Sequence, residues 1–174
     1  MTQSAPDRTE AAEYYFTYID KVGQGDIVEI LEQQRPDVRA LLAGISEEQS
    51  LHRYAPDKWT VREVVSHLND TERLFVFRAL WFARGFDTSL PSFDQNVAIA
   101  SAGAQSRDWR SHVEEFDAIR SATIAFFAHL PDDAWGRRGI ASGNPFTVRA
   151  LAYICAGHVS HHVKILRERY LATG

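Results

Sequence analysis

Cysteine is almost missing from this chain: Cys155 stands alone among 174 residues. A single thiol excludes an intramolecular disulfide, and it excludes the thiolate-rich type of zinc site. Positive charge is not in surplus either. Nineteen Lys and Arg face 23 Asp and Glu, for a net charge of −4. That balance speaks against a duplex nucleic-acid binder. No apolar run is long enough for a bilayer, which takes about 20 residues; the longest, around Ala150–Ala156, falls far short. No charged start leads into an apolar stretch and a cleavage site, so no secretory signal is expected. No segment is of low complexity, and no stretch alternates with period two for long enough to read as a sheet. The expectation is a cytoplasmic protein without nucleic-acid or membrane partners.

What is present is ordinary globular composition, 45% hydrophobic and 24% charged, at a length typical of one domain. Residues 1–25 read as a tail, with an extended aromatic segment at Tyr14, Tyr15, Phe16 and Tyr18 laid on the core surface. The main domain is expected over 26–174. Asp26 is an N-cap type residue, and Ile27, Ile30, Leu31, Val38, Leu41 and Leu42 share one helical face. Pro36 inside that stretch is expected to kink or split it. Ser46 to Gln49 has capping-box spacing, and Thr60-Val-Arg-Glu63 is a better box opening a helix that stops at Gly85. Residues 86–105 form a long connection, a third helix fits about 107–130, 131–146 read as a loop, and a last helix starts at Thr147. Trp59-Thr-Val-Arg62 and Phe146-Thr-Val-Arg149, which open the second and the last long helix, echo each other in Thr-Val-Arg. The fold class is therefore all-α, a four-helix bundle with long crossover loops.

Seven histidines stand out against the single cysteine. On an ideal wheel of about 100° per residue, His158 and His162 fall in the middle of the apolar face of the last helix. Buried imidazoles are costly unless satisfied, and a pair at i and i+4 can converge on one metal ion. His67 lies on the inward shoulder of the second long helix, with Thr71 and Arg78 on the same side. Ordinary core histidines with hydrogen bonds are the simpler alternative. Three neutral imidazoles without a fourth protein ligand would make an open site of catalytic type, able to activate water or to hold a substrate thiol as thiolate. Zinc or nickel suits such ligands.

The segments YAPDKWTVREVVSHLNDTERLFVFRALWFARG (Tyr54–Gly85), LPSFDQN (Leu90–Asn96) and NPFTVRALAYICAGHVSHHVKILRERY (Asn144–Tyr170), in that order, resemble the DinB-like branch of the DinB/YfiT superfamily of bacterial metalloenzymes. The resemblance implies a bundle of up-down-down-up topology and a divalent metal held by one histidine of the second helix and an H-x-x-x-H pair of the fourth, here His67, His158 and His162. It also implies a small-molecule substrate, with relatives that include thiol-dependent transferases and isomerases using low-molecular-weight thiols such as bacillithiol or mycothiol. Hydrolysis of a small molecule is the competing chemistry, and a non-catalytic metal- or ligand-binding helical module, possible as a homodimer, is the competing class.

Five further residues are candidates around that site. Asp70 is placed to orient an imidazole or else to face solvent. Arg78 reads as contacting an anionic substrate or, preferentially, pairing with Glu114 or Glu115. Asp94 and Gln95 sit on the long connection that would cap the site, or stabilise a turn there. His161 lies at the edge of the apolar face. Cys155 and the Trp and Tyr residues, Tyr18 and Tyr54 included, read as core or interface residues, and no catalytic residue is assigned.

Overall fold

The computed structural model describes residues 4–172. Four long helices carry it: α2 (Ile27–Ala43), α3 (Val61–Ala83), α5 (Trp109–Ala128) and α6 (Val148–Ile165). Two short helices, α1 (Phe16–Ile19) and α4 (Gln95–Ser101), and a hairpin of β1 (Arg138–Ala141) and β2 (Asn144–Thr147) complete the set. The starts of the long helices are written locally. Asp26, Thr60, Asp108 and Thr147 each cap a helix with the side chain, satisfying backbone N–H groups that have no partner inside the helix. At Thr60 the box is reciprocal: Glu63 N–H donates to Thr60 Oγ1 at 3.2 Å, and Thr60 N–H donates to Glu63 Oε2 at 2.7 Å.

Four sequence expectations need correction. Pro36 does not split α2, which runs unbroken through it. The carbonyl it leaves unpaired belongs to Glu32, an exposed residue, where water can replace the lost bond. The aromatic segment near the N-terminus is not extended but turns helically, as a 3-10 turn (Glu13–Tyr15) followed by α1, and buries Phe16 and Ile19. The stretch 131–146 is not all loop. It holds the hairpin, closed by Ser142 and Gly143 at φ +52° and +72°, the left-handed pair that a two-residue type I′ turn requires. The connection 86–105 holds α4, likewise unforeseen.

In the bundle, α2 and α3 each pack against both α5 and α6. Consecutive helices α2 and α3 therefore lie across the bundle from one another, which is why their connections are long. Trp109 Nε1, at the start of α5, donates to the carbonyl of Leu42, near the end of α2. Tyr170, just beyond α6, donates to the carbonyl of Trp59, just before α3. Arg120 on α5 reaches Glu72 on α3 in a two-pronged buried ion pair at 2.7 and 2.8 Å.

The apolar core comes in two clusters stacked along α3 and α6. One holds Phe75, Phe82, Leu151 and Ala156 with the hairpin and α1; the other holds Val61, Leu68, Val159 and Leu166 with Trp109 and Phe116. Between them the helices present polar side chains: His67, Thr71 and Glu72 on α3, and His158 on α6, all buried. The candidate site occupies that interruption.

Candidate metal centre

The structure brings His67, His158 and His162 together. One ligand atom from each lies within 4.8 Å of the other two, and His67 Nε2 stands 3.1 Å from His158 Nε2. Two nitrogens about 2.05 Å from a shared ion lie roughly 2.9 Å apart at a right angle and 3.3 Å apart at the tetrahedral angle, so this spacing fits common ligation. Burial holds the imidazoles neutral, which is the ligating form. It pulls His67 down to about 4. Burial and then the neighbouring His67 and His161 pull His162 down to about 3. Burial first, and then the neighbouring His162, His67 and His161, lower His158 well below the ordinary imidazole value.

Thr71, one turn after His67, sets the tautomer of His158. Its hydroxyl donates to the His67 carbonyl at 2.6 Å and stands 3.4 Å from His158 Nδ1. The hydroxyl proton is committed to the carbonyl, so Nδ1–H is the donor across the second contact and Nε2 carries the lone pair. Aromatic rings close around the cluster: Trp59 against His67 at 5.0 Å between centroids, and Tyr18 against His158 at 5.1 Å.

His67 and His158 open onto a cavity of about 490 Å³ lined also by Tyr14, Tyr15, Tyr18, Thr71, Arg78 and Asp94. His162 opens onto a smaller one of about 260 Å³ beside Trp59 and Asn96. Burial raises the phenols of Tyr15 and Tyr18 above their ordinary value, so they remain hydrogen-bond donors. The N-terminal tyrosines are the site residues that sequence reasoning missed. Thr71 carried a signal, its position four residues after His67.

The five neighbouring candidates divide. Asp94 and Gln95 line the larger cavity, and Asp94 also caps α4, accepting from Asn96 N–H at 2.8 Å and Val97 N–H at 3.2 Å. Arg78 lines the same cavity, and the expected pairing with Glu114 or Glu115 is not made. Glu114 binds Arg110, and Glu115 binds Arg73 and Arg107. Asp70 turns toward Arg73, 3.7 Å away, and not toward an imidazole. His161 stacks edge-on against Tyr18 and His162 and is outside the three-histidine cluster. Cys155 is buried, and burial pushes its thiol up, which suits a core residue and not a nucleophile.

A helical bundle that brings three histidines together on facing helices, two of them buried and one half-buried, has the form of a metal-site scaffold. The match to the DinB superfamily covers residues 30–166, and the chain belongs to that superfamily. The fold is similar to that of YfiT from Bacillus subtilis, described as a probable metal-dependent hydrolase with an unusual four-helix bundle topology. The TM-score is 0.70, with 18% identity over 93% of this chain and 91% of that one. No curated protein matches the chain. Among the described residues, no helix is long and apolar enough to cross a membrane.

Proposed function

We propose that the chain is a metal-dependent enzyme acting on a small molecule, with His67, His158 and His162 holding one divalent ion, zinc or nickel by the imidazole chemistry of the set. The observation that carries this is the neutral histidine cluster, two of whose members, the buried His67 and His158, stand at the wall of a cavity of about 490 Å³. Three protein ligands leave coordination positions open, as in catalytic sites. Bound there, the ion supplies Lewis acidity toward a water or a thiol. The contacts of Trp109 with Leu42 and of Tyr170 with Trp59 also support an up-down-down-up course for α2, α3, α5 and α6.

The chain's own residues favour thiol S-transfer, with a low-molecular-weight thiol of the bacillithiol or mycothiol type, over hydrolysis. Among the described residues lining the larger cavity, Asp94 is the one carboxylate, and its Oδ1 is occupied in capping α4. The remaining polar groups are mainly donors: the phenols of Tyr14, Tyr15 and Tyr18 and the guanidinium of Arg78. A lining dominated by donors, with its one carboxylate engaged through Oδ1 as a helix cap, suits a nucleophile acidic enough to lose its proton on ligation. Thr71 orients His158, and the tyrosine phenols hydrogen-bond negative charge developing on the substrate.

Elemental analysis of purified protein is the deciding experiment, joined to assays with thiol–electrophile pairs and with activated esters and amides. One metal per chain, lost in each of His67→Ala, His158→Ala and His162→Ala, is expected, with turnover in the thiol panel. A folded wild-type protein that takes up no zinc or nickel overturns the metal reading. Full loading without turnover in either panel leaves a metal-binding helical module instead.

A further inference from the structure

We infer that the larger cavity is a receptor for a monoanionic substrate, a carboxylate, with Arg78 as the group that recognises it. This deepens the proposed function, since it takes the histidine cluster as the reacting end of the same cavity. Arg78 is only 2% exposed, yet its guanidinium has no carboxylate within 4.0 Å among the described residues. Its Nη2 donates to Ser142 Oγ at 2.8 Å and to the Pro91 carbonyl at 3.3 Å, while Nε has no acceptor at all. Both acceptors it does have are neutral, and its other close neighbour, the Tyr15 phenol, is protonated. A buried charge left without an opposite charge is costly. Where that cost is borne in the wall of a cavity, recognition of an oppositely charged ligand is the natural counterpart.

The placement gives the ligand an orientation. Arg78 and His67 stand eleven residues apart on α3, about three turns and roughly 16 Å of rise, so they face the same way. The side chain of a helical residue leans back toward the N-terminus, here toward His67, which shortens the gap. A small molecule can thus set a carboxylate on Arg78 and present its other end to the histidines, with Tyr15, Phe75 and Phe93 along its length. The charge count selects the ligand class. Among the described residues the lining holds one guanidinium and, in Asp94, one carboxylate. A single negative charge is accommodated; a phosphate dianion, which usually meets several cationic or N–H donors, is not.

Calorimetric titration with 3-phenylpropionate, its neutral amide and inorganic phosphate tests this, on protein as purified and again after chelator treatment. The carboxylate is expected to bind at least tenfold more tightly than the amide, and more tightly than phosphate, in both preparations. Arg78→Gln should abolish the preference and Arg78→Lys should restore part of it, with folding checked by circular dichroism. If Arg78→Gln does not fold, Ser142→Ala, which removes one brace of the guanidinium, should reduce the preference several-fold. Equal binding of acid and amide, tighter binding of phosphate, or a preference that survives in a folded Arg78→Gln protein overturns the inference. Because the preference is read without metal, its loss is distinct from failure of the metal reading, which elemental analysis reports.

Discussion

The backbone carbonyl of Tyr18 is seated on Gly157, so closely that a Cβ at position 157 would lie 2.1 Å from its oxygen. The contact joins the N-terminal segment to α6 one residue before His158, and it sets the Tyr18 ring against that imidazole. Alanine is the better helix former by about 1 kcal/mol, but here the added methyl meets backbone, which cannot swing aside. Gly157→Ala is expected to detach α1 from α6 and to lower stability by about 1–3 kcal/mol, the usual range for overpacking. Urea denaturation measures the loss, and faster proteolysis near Tyr18 identifies its place.

Thr71 holds His158 by its Nδ1–H, so its removal should be felt at the metal more than in the fold. Thr71→Val keeps the shape and deletes the acceptor. Loss of such a partner typically weakens metal affinity ten- to a hundredfold. Competition with a chromophoric chelator should show that weakening, with an unchanged circular dichroism spectrum. An affinity equal to the wild type would mean that the 3.4 Å contact does not govern the tautomer.

The parts of this architecture that were legible in the sequence are those fixed by neighbours in the chain. Thr60 with Glu63, and Thr147 with Ala150, act within one turn, and the helical period alone places His67, His158 and His162 inward. The hairpin was not legible, because strands of four residues are too short to display alternation. Tyr18 was legible as a residue packed on the core but not as a neighbour of His158, because that placement depends on Gly157, nearly 140 residues away. For Arg78 the wheel gave the direction correctly but not the partner, since Glu114 and Glu115 had nearer arginines to satisfy them.

The Glu72–Arg120 pair crosses the core beside the site, with the two side chains 3% and 0% exposed. Gln34 adds a further acceptor for the guanidinium. Removing one member strands a charge in the interior. Arg120→Met is expected to cost about 3–5 kcal/mol, whereas the Glu72→Leu, Arg120→Met double variant should cost much less, because neither charge is then left alone. Urea denaturation of the single and double variants reads this directly. An additive double variant would show that the pair is worth no more than its separate side chains.

Glu10 ties the N-terminal segment to the start of α6, with hydrogen bonds from Thr147 Oγ1 at 2.8 Å and Arg149 Nε at 3.0 Å. Burial alone would raise its carboxyl, but Arg149, the Asp7 amide and the Thr147 hydroxyl outweigh it and hold the group below its ordinary 4.5. The unfolded chain therefore takes up the proton at higher pH than the folded one, and stability from this link is complete above about 4.5 and is lost as pH falls through the lowered folded value. Other carboxylates, Glu115 among them, are lowered too, so the wild-type profile alone does not isolate Glu10. The difference between wild type and Glu10→Gln does. At neutral pH the variant should be less stable by about 1–3 kcal/mol, the cost of removing a charged hydrogen-bond partner. The gap should narrow steadily as the pH is lowered below about 4.5, since protonation removes the same charge from the wild type. Thermal unfolding followed from neutral pH down to the acid limit of folding makes the comparison. A gap that stays constant or widens toward acid would place the effect of the substitution in packing and not in the ion pair.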